Sequence, residues 1–445
     1  MTYTATGRTN QVKRRAIHCA LLACALLQSA MAWAQLKIDI TRGVTDPVPV
    51  ALVPFARAIP ADGGLDIAAV VQKDLESSGR FRALDRAAMP SQPSRAADVN
   101  AASWRAQRTD YVVVGRVVTG TTDNVQLQFE LVNVLTGQVL LNDTVSVPQS
   151  AIRTGAHRIA DRIFEKITGF RGAFATRIAY VSVDGAPPNQ RYQLWVADAD
   201  GENYRVATQS SQPIMSPAWS ADGEWLAYVS FENRVSAIFV QRVRTGERRQ
   251  VSARRGVNGA PAFSPDGRRL ALTLSGGNGN LDVYVLDLTS QALTRITEDP
   301  AIDTEPAWSV DGQTLYFTSD RGGGPQIYSA PAQSGARARR ITFGSSYTAR
   351  PRVSPDGKML AVVTQDSSGF RVGVVDLASG QITALSRGGL DESPSFAPNG
   401  AALIYAGRDR GQSVLAMVSV DGTVSSRLKA DQGEVREPVW GPFLN

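Results

Sequence analysis

The chain carries two cysteines and two histidines in 445 residues, and that scarcity excludes a good deal of chemistry. Cys19, Cys24 and His18 all fall within the first 34 residues. Beyond them there is no thiol for a disulfide, a nucleophile or a zinc site, and His157 is the one imidazole. Neither an HExxH pair nor a Gly-x-Ser-x-Gly elbow occurs, so the residue sets of a zinc hydrolase and of an α/β-hydrolase are missing. Long apolar runs are scarce too. Ala16 to Ala30 is the single candidate, and it is short for a span and interrupted by His18 and Gln28. Lys13, Arg14 and Arg15 precede it and Ala32-Trp33-Ala34 follows. This layout predicts a secretory signal peptide over residues 1–34, cleaved between Ala34 and Gln35, and a periplasmic or extracellular product with no remaining membrane span.

Four cations (Arg8, Lys13, Arg14, Arg15) and no acid lie before Gln35, so the remainder holds 43 cations against 41 acids, a net +2. That balance gives no reason to expect a nucleic-acid partner. At 20% charged and 43% hydrophobic residues the composition is that of an ordinary globular protein.

Residues 35–172 read as a mixed α/β domain. Leu36, Ile38 and Ile40 alternate with Lys37, Asp39 and Thr41 as a strand, and Val48–Phe55 suits a buried strand. Asp66–Ser77 spaces its apolar residues helically, with Gly79 as a stop signal. Strands are expected at Tyr111–Val118, Val125–Val134 and Val139–Val147. A second helix is expected over Ala151–Thr168, with Ile152, Ala156, Ile159, Ile163 and Ile167 on one stripe and Gly169 at its end. His157 lies on that helix and is expected to be a partly exposed structural residue.

From Ala173 onward the texture changes to short strands and turns. The stretch PAWSADGEWLAYVS at 217 returns as PAFSPDG at 261, PAWSVDG at 306, PRVSPDG at 351 and PSFAPNG at 394, and PVWGPF at 438 begins a further copy. The six prolines are 44, 45, 45, 43 and 44 residues apart. Each copy has a strand, a Ser-Pro-Asp-Gly-like turn and further strands, which is the period and grammar of a propeller blade. Residues 177–208 lack the opening strand, and PVWGPF supplies it from the other end of the chain. The prediction is a six-bladed β-propeller over residues 173–445, closed by pairing of the C-terminal strand with the first blade. A stacked solenoid is the competing architecture and would leave both half-repeats unpaired. SGGNGN (275–280) and RGGGP (321–325) precede strands rather than helices, so they read as hairpin loops and not phosphate cradles.

In such a ring the residues before each repeat proline share one height around the axis. They are Ile214-Met215-Ser216, Asn258-Gly259-Ala260, Asp303-Thr304-Glu305, Thr348-Ala349-Arg350, Asp391-Glu392-Ser393 and Val435-Arg436-Glu437. This net-acidic set is expected to form a recognition surface at one mouth of the channel, with room for a divalent cation. No cofactor and no enzymatic activity are expected.

The sequences QLKIDITRGVTDPVPVALVPF, YVVVGRV, FEKITGFRGAFATRIAYVS, DTEPAWSVDGQTLYFTSD and LDESPSFAPNG, in this order, resemble the TolB family of the Tol–Pal envelope system. The resemblance spans nearly all of the chain after residue 34. It implies a periplasmic interaction scaffold that supports outer-membrane integrity and envelope constriction during division. It implies that the mouth receives the lipoprotein Pal, through Met215, Ala260, Thr304 and Glu305, and the ring reading adds Ser216, Val257, Arg350, Glu392 and Glu437 to the expected Pal-binding set. Val257 departs from a histidine frequent in the family. Residues 35–46, and in particular Leu36, Lys37, Ile38, Asp39, Ile40 and Thr41, are implied to engage TolA. Other outer-membrane lipoproteins or porins are further possible partners. Read on its own, that segment is either an edge strand of the first domain or a strand that detaches and joins a partner's sheet. A glycan- or peptidoglycan-binding propeller is the alternative function. Against it, Trp219, Trp308 and Trp440 fall inside repeat strands, where blade packing accounts for them.

Overall fold

The computed structural model of the chain describes residues 36–57, 64–119, 123–277, 279–430 and 433–444. The expected signal peptide and its cleavage point at Ala34–Gln35 lie outside the described residues.

Strand β1 (Leu36–Arg42) does not join the domain that follows it in sequence. It adds antiparallel to the last strand of the propeller, Ser425–Ala430, pairing Leu36 with Ala430 and Ile38 with Leu428. The reading of this segment as an edge strand of the first domain is therefore corrected. Alternation specifies a strand, but it does not specify which sheet takes it.

The first domain is built on β2 (Val48–Leu52), β3 (Ala56–Arg57), β4 (Phe81–Ala83), β5 (Tyr111–Thr119), β6 (Asn124–Asn133) and β7 (Val139–Pro148). Their order is β4-β2-β5-β6-β7, with β3 beside β5. Strand β2 runs parallel to β4 and β5, and β5 to β7 form an antiparallel meander. Helix α1 (Ile67–Ser77) starts at Asp66, whose side chain accepts from the Ala69 amide at 3.0 Å. A short helix, α2 (Ala101–Ala106), covers one face of the sheet through the fully buried Trp104. Helix α3 (Ile152–Thr168) ends at Gly169 in the left-handed conformation. The stripes Ile67/Val70/Val71/Leu75 and Ile152/Ala156/Ile159/Ile163 pack against Leu52, Val113, Leu127 and Leu131 on the opposite face.

The propeller has six sheets. Blade 1 takes strands 177–184, 191–198 and 205–210 from one end of the repeat region and 434–440 from the other. Blades 2 to 6 are each continuous, and open with the inner strands Ile214–Trp219, Asn258–Phe263, Asp303–Trp308, Thr348–Val353 and Glu392–Phe396. The six inner strands touch in a closed circuit, the C-terminal one lying between those of blades 6 and 2. Closure leaves no terminal blade exposed, and the solenoid is excluded.

The tryptophans fasten blade to blade. Trp219 Nε1 donates to the Val439 carbonyl at 3.3 Å and Trp308 Nε1 to the Ala262 carbonyl at 3.0 Å, each in the preceding blade. The Asp-Gly turns are closed internally: Ser354 Oγ donates to Asp356 Oδ1 at 2.6 Å, the Lys358 amide donates to the same oxygen at 3.1 Å, and Gly357 takes φ +71°.

Candidate functional site

Every inner strand is interrupted at one place. The pairing with the second strand slips between Met215 and Ala218, Gly259 and Ala262, Thr304 and Ala307, Ala349 and Arg352, Glu392 and Ser395, and Arg436 and Val439. The repeat proline sits in each gap, where it has no N–H to offer the ladder. The residue before it is forced to positive φ: Ser216 +53°, Ala260 +44°, Glu305 +56°, Arg350 +57°, Ser393 +55° and Glu437 +49°. Six non-glycine residues in this uncommon region, one per blade, mark a bulge that turns their side chains out of the strand's alternation.

At the mouth two of these residues, Glu305 and Ser393, bond to a third, Arg350. Its Nε donates to Glu305 Oε1 at 2.7 Å, its Nη1 donates to Ser393 Oγ, and its amide donates to Glu305 Oε2 at 3.1 Å. One residue thereby links blades 4, 5 and 6. Glu437 of blade 1 accepts from the Ser216 amide of blade 2, and Thr304 Oγ1 meets Thr273 Oγ1 at 3.2 Å across blades 4 and 3. Burial opposes the Arg350 charge, but the carboxylates of Glu305, Glu437 and Glu392 outweigh it and hold the guanidinium above its ordinary pKa. Burial raises Glu437, with Arg350 opposing, and lowers Arg352, which faces the same carboxylates. Two guanidiniums thus face the carboxylates of Glu305 and Glu437.

Not all of the expected residues present themselves to a partner. The first member of each triplet (Ile214, Asn258, Asp303, Thr348, Asp391, Val435) is buried. Met215 is half-buried against the core between blades 2 and 3. Val257, in contrast, is 43% exposed, and Ile302 and Leu390 are exposed at 46% and 57%. These three stand four residues before a repeat proline. The equivalent positions in the other copies are Pro213, Tyr347 and Glu434, so five of six are apolar. The signal was present in the repeat register and the triplets alone did not reveal it. Tyr347, Leu390, Phe370 and Arg350 line a depression of about 350 Å³ on this rim. An apolar rim around a satisfied polar centre is the composition of a protein-docking surface.

The segment β1 is held mainly by backbone pairing. Leu36 is fully buried, but Ile38 is half-buried and Ile40 is 40% exposed. Thr41 Oγ1 donates to the Ser425 carbonyl at 3.0 Å. Leu36 rests on Gly201, where a Cβ would lie 2.7 Å from the Leu36 Cβ.

His157 is not partly exposed. It is 1% exposed and belongs to an ionic cluster between the first domain and blade 1. Its Nδ1 lies 2.6 Å from Asp74 Oδ2 on α1, and its Nε2 lies 3.6 Å from Asp198 Oδ2 of the propeller. Arg153 reaches Asp198 at 3.4 Å and also pairs with Asp200, and Lys73 reaches Glu202 at 3.0 Å. Burial alone would lower the His157 pKa, but Asp74, Asp198 and Asp200 push it up to about 10. Asp74, His157 and Asp200 are close enough to share a metal ion, yet Arg153 and Lys73 already neutralise Asp200. The junction after α3 is likewise pinned. Asp161 accepts from the Phe174 amide at 2.7 Å, Asn399 donates to the Arg171 carbonyl at 2.8 Å, and a Cβ on Gly172 would lie 2.4 Å from the Asp161 Cα.

Comparison with known proteins agrees with this architecture. A family model described as the TolB amino-terminal domain matches residues 36–140, and one described as the TolB beta propeller domain matches residues 164–444. A protein of Thioalkalivibrio sulfidiphilus named Tol-Pal system protein TolB is 47% identical over 427 residues, 96% of this chain and 97% of that one. One of the same name from Methylococcus capsulatus is 49% identical over 97% of this chain and all of its own. The crystal structure of TolB from Acinetobacter baumannii superposes with a TM-score of 0.83 at 39% identity, covering 92% of this chain and 100% of that one.

Proposed function

The chain belongs to the TolB family and is a Tol–Pal system component, and from that premise we propose that it works in the periplasm as a non-enzymatic adaptor. The propeller mouth docks the lipoprotein Pal and β1 engages TolA, a linkage that maintains outer-membrane integrity and supports constriction. The observation that carries this reading is the mouth itself: a polar centre satisfied within the ring, surrounded by exposed Val257, Ile302 and Leu390. Apolar groups already stripped of internal partners gain most from a second protein surface. Among the described residues no helix is long and apolar enough to cross a membrane.

The TolA half rests on how β1 is held. A strand in which Leu36 is the one fully buried side chain among those described can exchange its propeller edge for a partner's edge at modest cost, because backbone hydrogen bonds are remade in the new sheet. Capture of Pal and TolA by the purified protein tests both halves. Glu305→Lys and Ala260→Trp should lose Pal, and deletion of residues 35–46 should lose TolA while keeping Pal. Unchanged Pal capture by both mouth variants would rule out this mouth as the docking site.

A further inference from the structure

A second concave site lies between blades 5 and 6, adjoining the rim depression and sharing Asp391 and Arg408 with it. It is a crevice of about 450 Å³ in which arginines from three parts of the chain converge: Arg387 after the last strand of blade 5, Arg408 and Arg427 of blade 6, and Arg42 of β1. Arg427 is paired with Asp409 at 2.9 Å. Arg387 and Arg408 are exposed and have no ion-pair partner among the described residues. The hydroxyl-bearing Tyr405 and Ser386 line the same wall. One carboxylate faces the crevice, that of Asp391, which is 3% exposed and accepts from the Gly388 amide at 2.9 Å. Its neighbour Arg371 is turned to Asp366 at 2.9 Å. Four guanidiniums against Asp391 and Asp409 leave an excess of two positive charges around a walled space.

Repulsion among unpaired guanidiniums is unfavourable unless an anion occupies the space between them, and planar N–H forks match oxyanions in pairs. We infer that this crevice binds a small ligand bearing two or more anionic oxygens, phosphate or carboxylate, and that docked β1 completes the site through Arg42. The two unpaired arginines supply most of the attraction, and the hydroxyls supply neutral donors. Because Thr41 and Arg42 line the crevice only with β1 on the blade edge, the ligand favours the docked state by mass action. The site shares β1 with the proposed TolA contact and Arg408 with the mouth depression, but binding of a small anion to the purified protein tests it with neither protein partner present.

Titration calorimetry of the chain from Gln35 onward, with pyrophosphate and with citrate in turn, tests the inference. Saturable binding of at least one probe is expected, and the tighter of the two identifies whether phosphate or carboxylate is preferred. Arg387→Ser/Arg408→Ser should bind at least about tenfold more weakly, the weight of one charge-assisted hydrogen bond. Arg254→Ser/Arg255→Ser, on exposed arginines of blade 2, should leave the affinity unchanged. Arg42→Ser should weaken it by a smaller factor, and the probe should slow amide exchange over residues 36–42 of the unaltered protein. Absence of saturable binding by both probes overturns the site, as does equal loss in the blade 2 variant. Full affinity in Arg42→Ser, with no slowing of exchange, overturns the role of β1.

Discussion

The two ends of the propeller are built on opposite principles. At the open mouth, the same backbone bulge is repeated six times, and side chains from neighbouring blades satisfy one another through Arg350, Glu305, Ser393 and Glu437. At the other end, the first domain meets blade 1 through a cluster that occurs once, centred on His157. Repetition yields a rigid frame that leaves the rim side chains Val257, Ile302 and Leu390 exposed. The single cluster yields an attachment that depends on each of its members. The largest difference between the two should therefore appear when one side chain is deleted at each end.

His157→Ala removes the cation from between Asp74 and Asp198 and leaves buried carboxylates facing one another. Breaking a buried pair by removing one member costs about 3–5 kcal/mol, and chemical denaturation should show a loss of that size. Thr304→Ala at the mouth removes one exchangeable hydroxyl contact and should cost about 1 kcal/mol or less. Equal losses would mean that the cluster is no more than a solvated ion pair.

The same cluster sets a pH dependence. The His157 pKa lies at about 10 in the folded chain against an ordinary value of 6.5, so the folded state binds the proton more tightly. Its contribution is fully present below pH 6.5 and is lost as pH rises toward about 10. Stability measured by urea melts should fall across that window, and the fall should be shallower in His157→Gln. A parallel decline in both proteins would place the titrating group elsewhere.

The contrast also explains what could be read in advance. Repeat spacing, Asp-Gly turns and the split blade are local patterns recurring at fixed offsets, so the six-bladed ring and the height of the mouth residues were legible. Helices α1 and α3 were legible from their stripes and caps. Three features carried no such pattern. Helix α2 and strands β3 and β4 are two to six residues long, too short to show a period. His157 gave no sign of burial because Asp74 and Asp198 are far away in sequence. The home of β1 could not be read because an alternating strand fits any open edge. The apolar rim was visible in the register, four residues before each proline, but only a frame placing those positions outside the triplets gives it meaning.

Gly201→Ala sharpens the comparison at β1, between the two extremes. Gly201 has φ +84°, and an added methyl would press on Leu36, the one fully buried side chain of that strand for which burial is described. Strain at this φ and the clash each cost about 1 kcal/mol. On the proposed exchange of β1, the strand leaves the blade edge while the remaining sheet stays paired, and most of that cost should appear as detachment. Amide exchange over residues 36–42 should accelerate by about tenfold or more, with the melting of the propeller almost unmoved. A drop in global stability with unchanged exchange at β1 would show instead that the strand is an integral part of blade 6.

The smallest effect on stability belongs to the rim. Ile302 and Leu390 are about half-exposed in the free protein, so replacing either by Asp removes little buried area, and stability should stay within about 0.5 kcal/mol. Binding should respond quite differently. A side chain that is half-covered alone and fully covered in a complex carries its apolar area into the association. A charge placed there would have to be desolvated without a partner. Loss of one such contact is worth about 1–2 kcal/mol, or roughly tenfold in affinity. Leu390→Asp should therefore weaken Pal capture without moving the melt, and Ile302→Asp should do the same from the rim of blade 4. The two sites sit on blades 4 and 6, with blade 5 between them, so their effects should add in the double variant. Wild-type capture by the double variant would leave the polar centre as the only part of the mouth a partner could read, and the distinction between frame and rim would no longer hold.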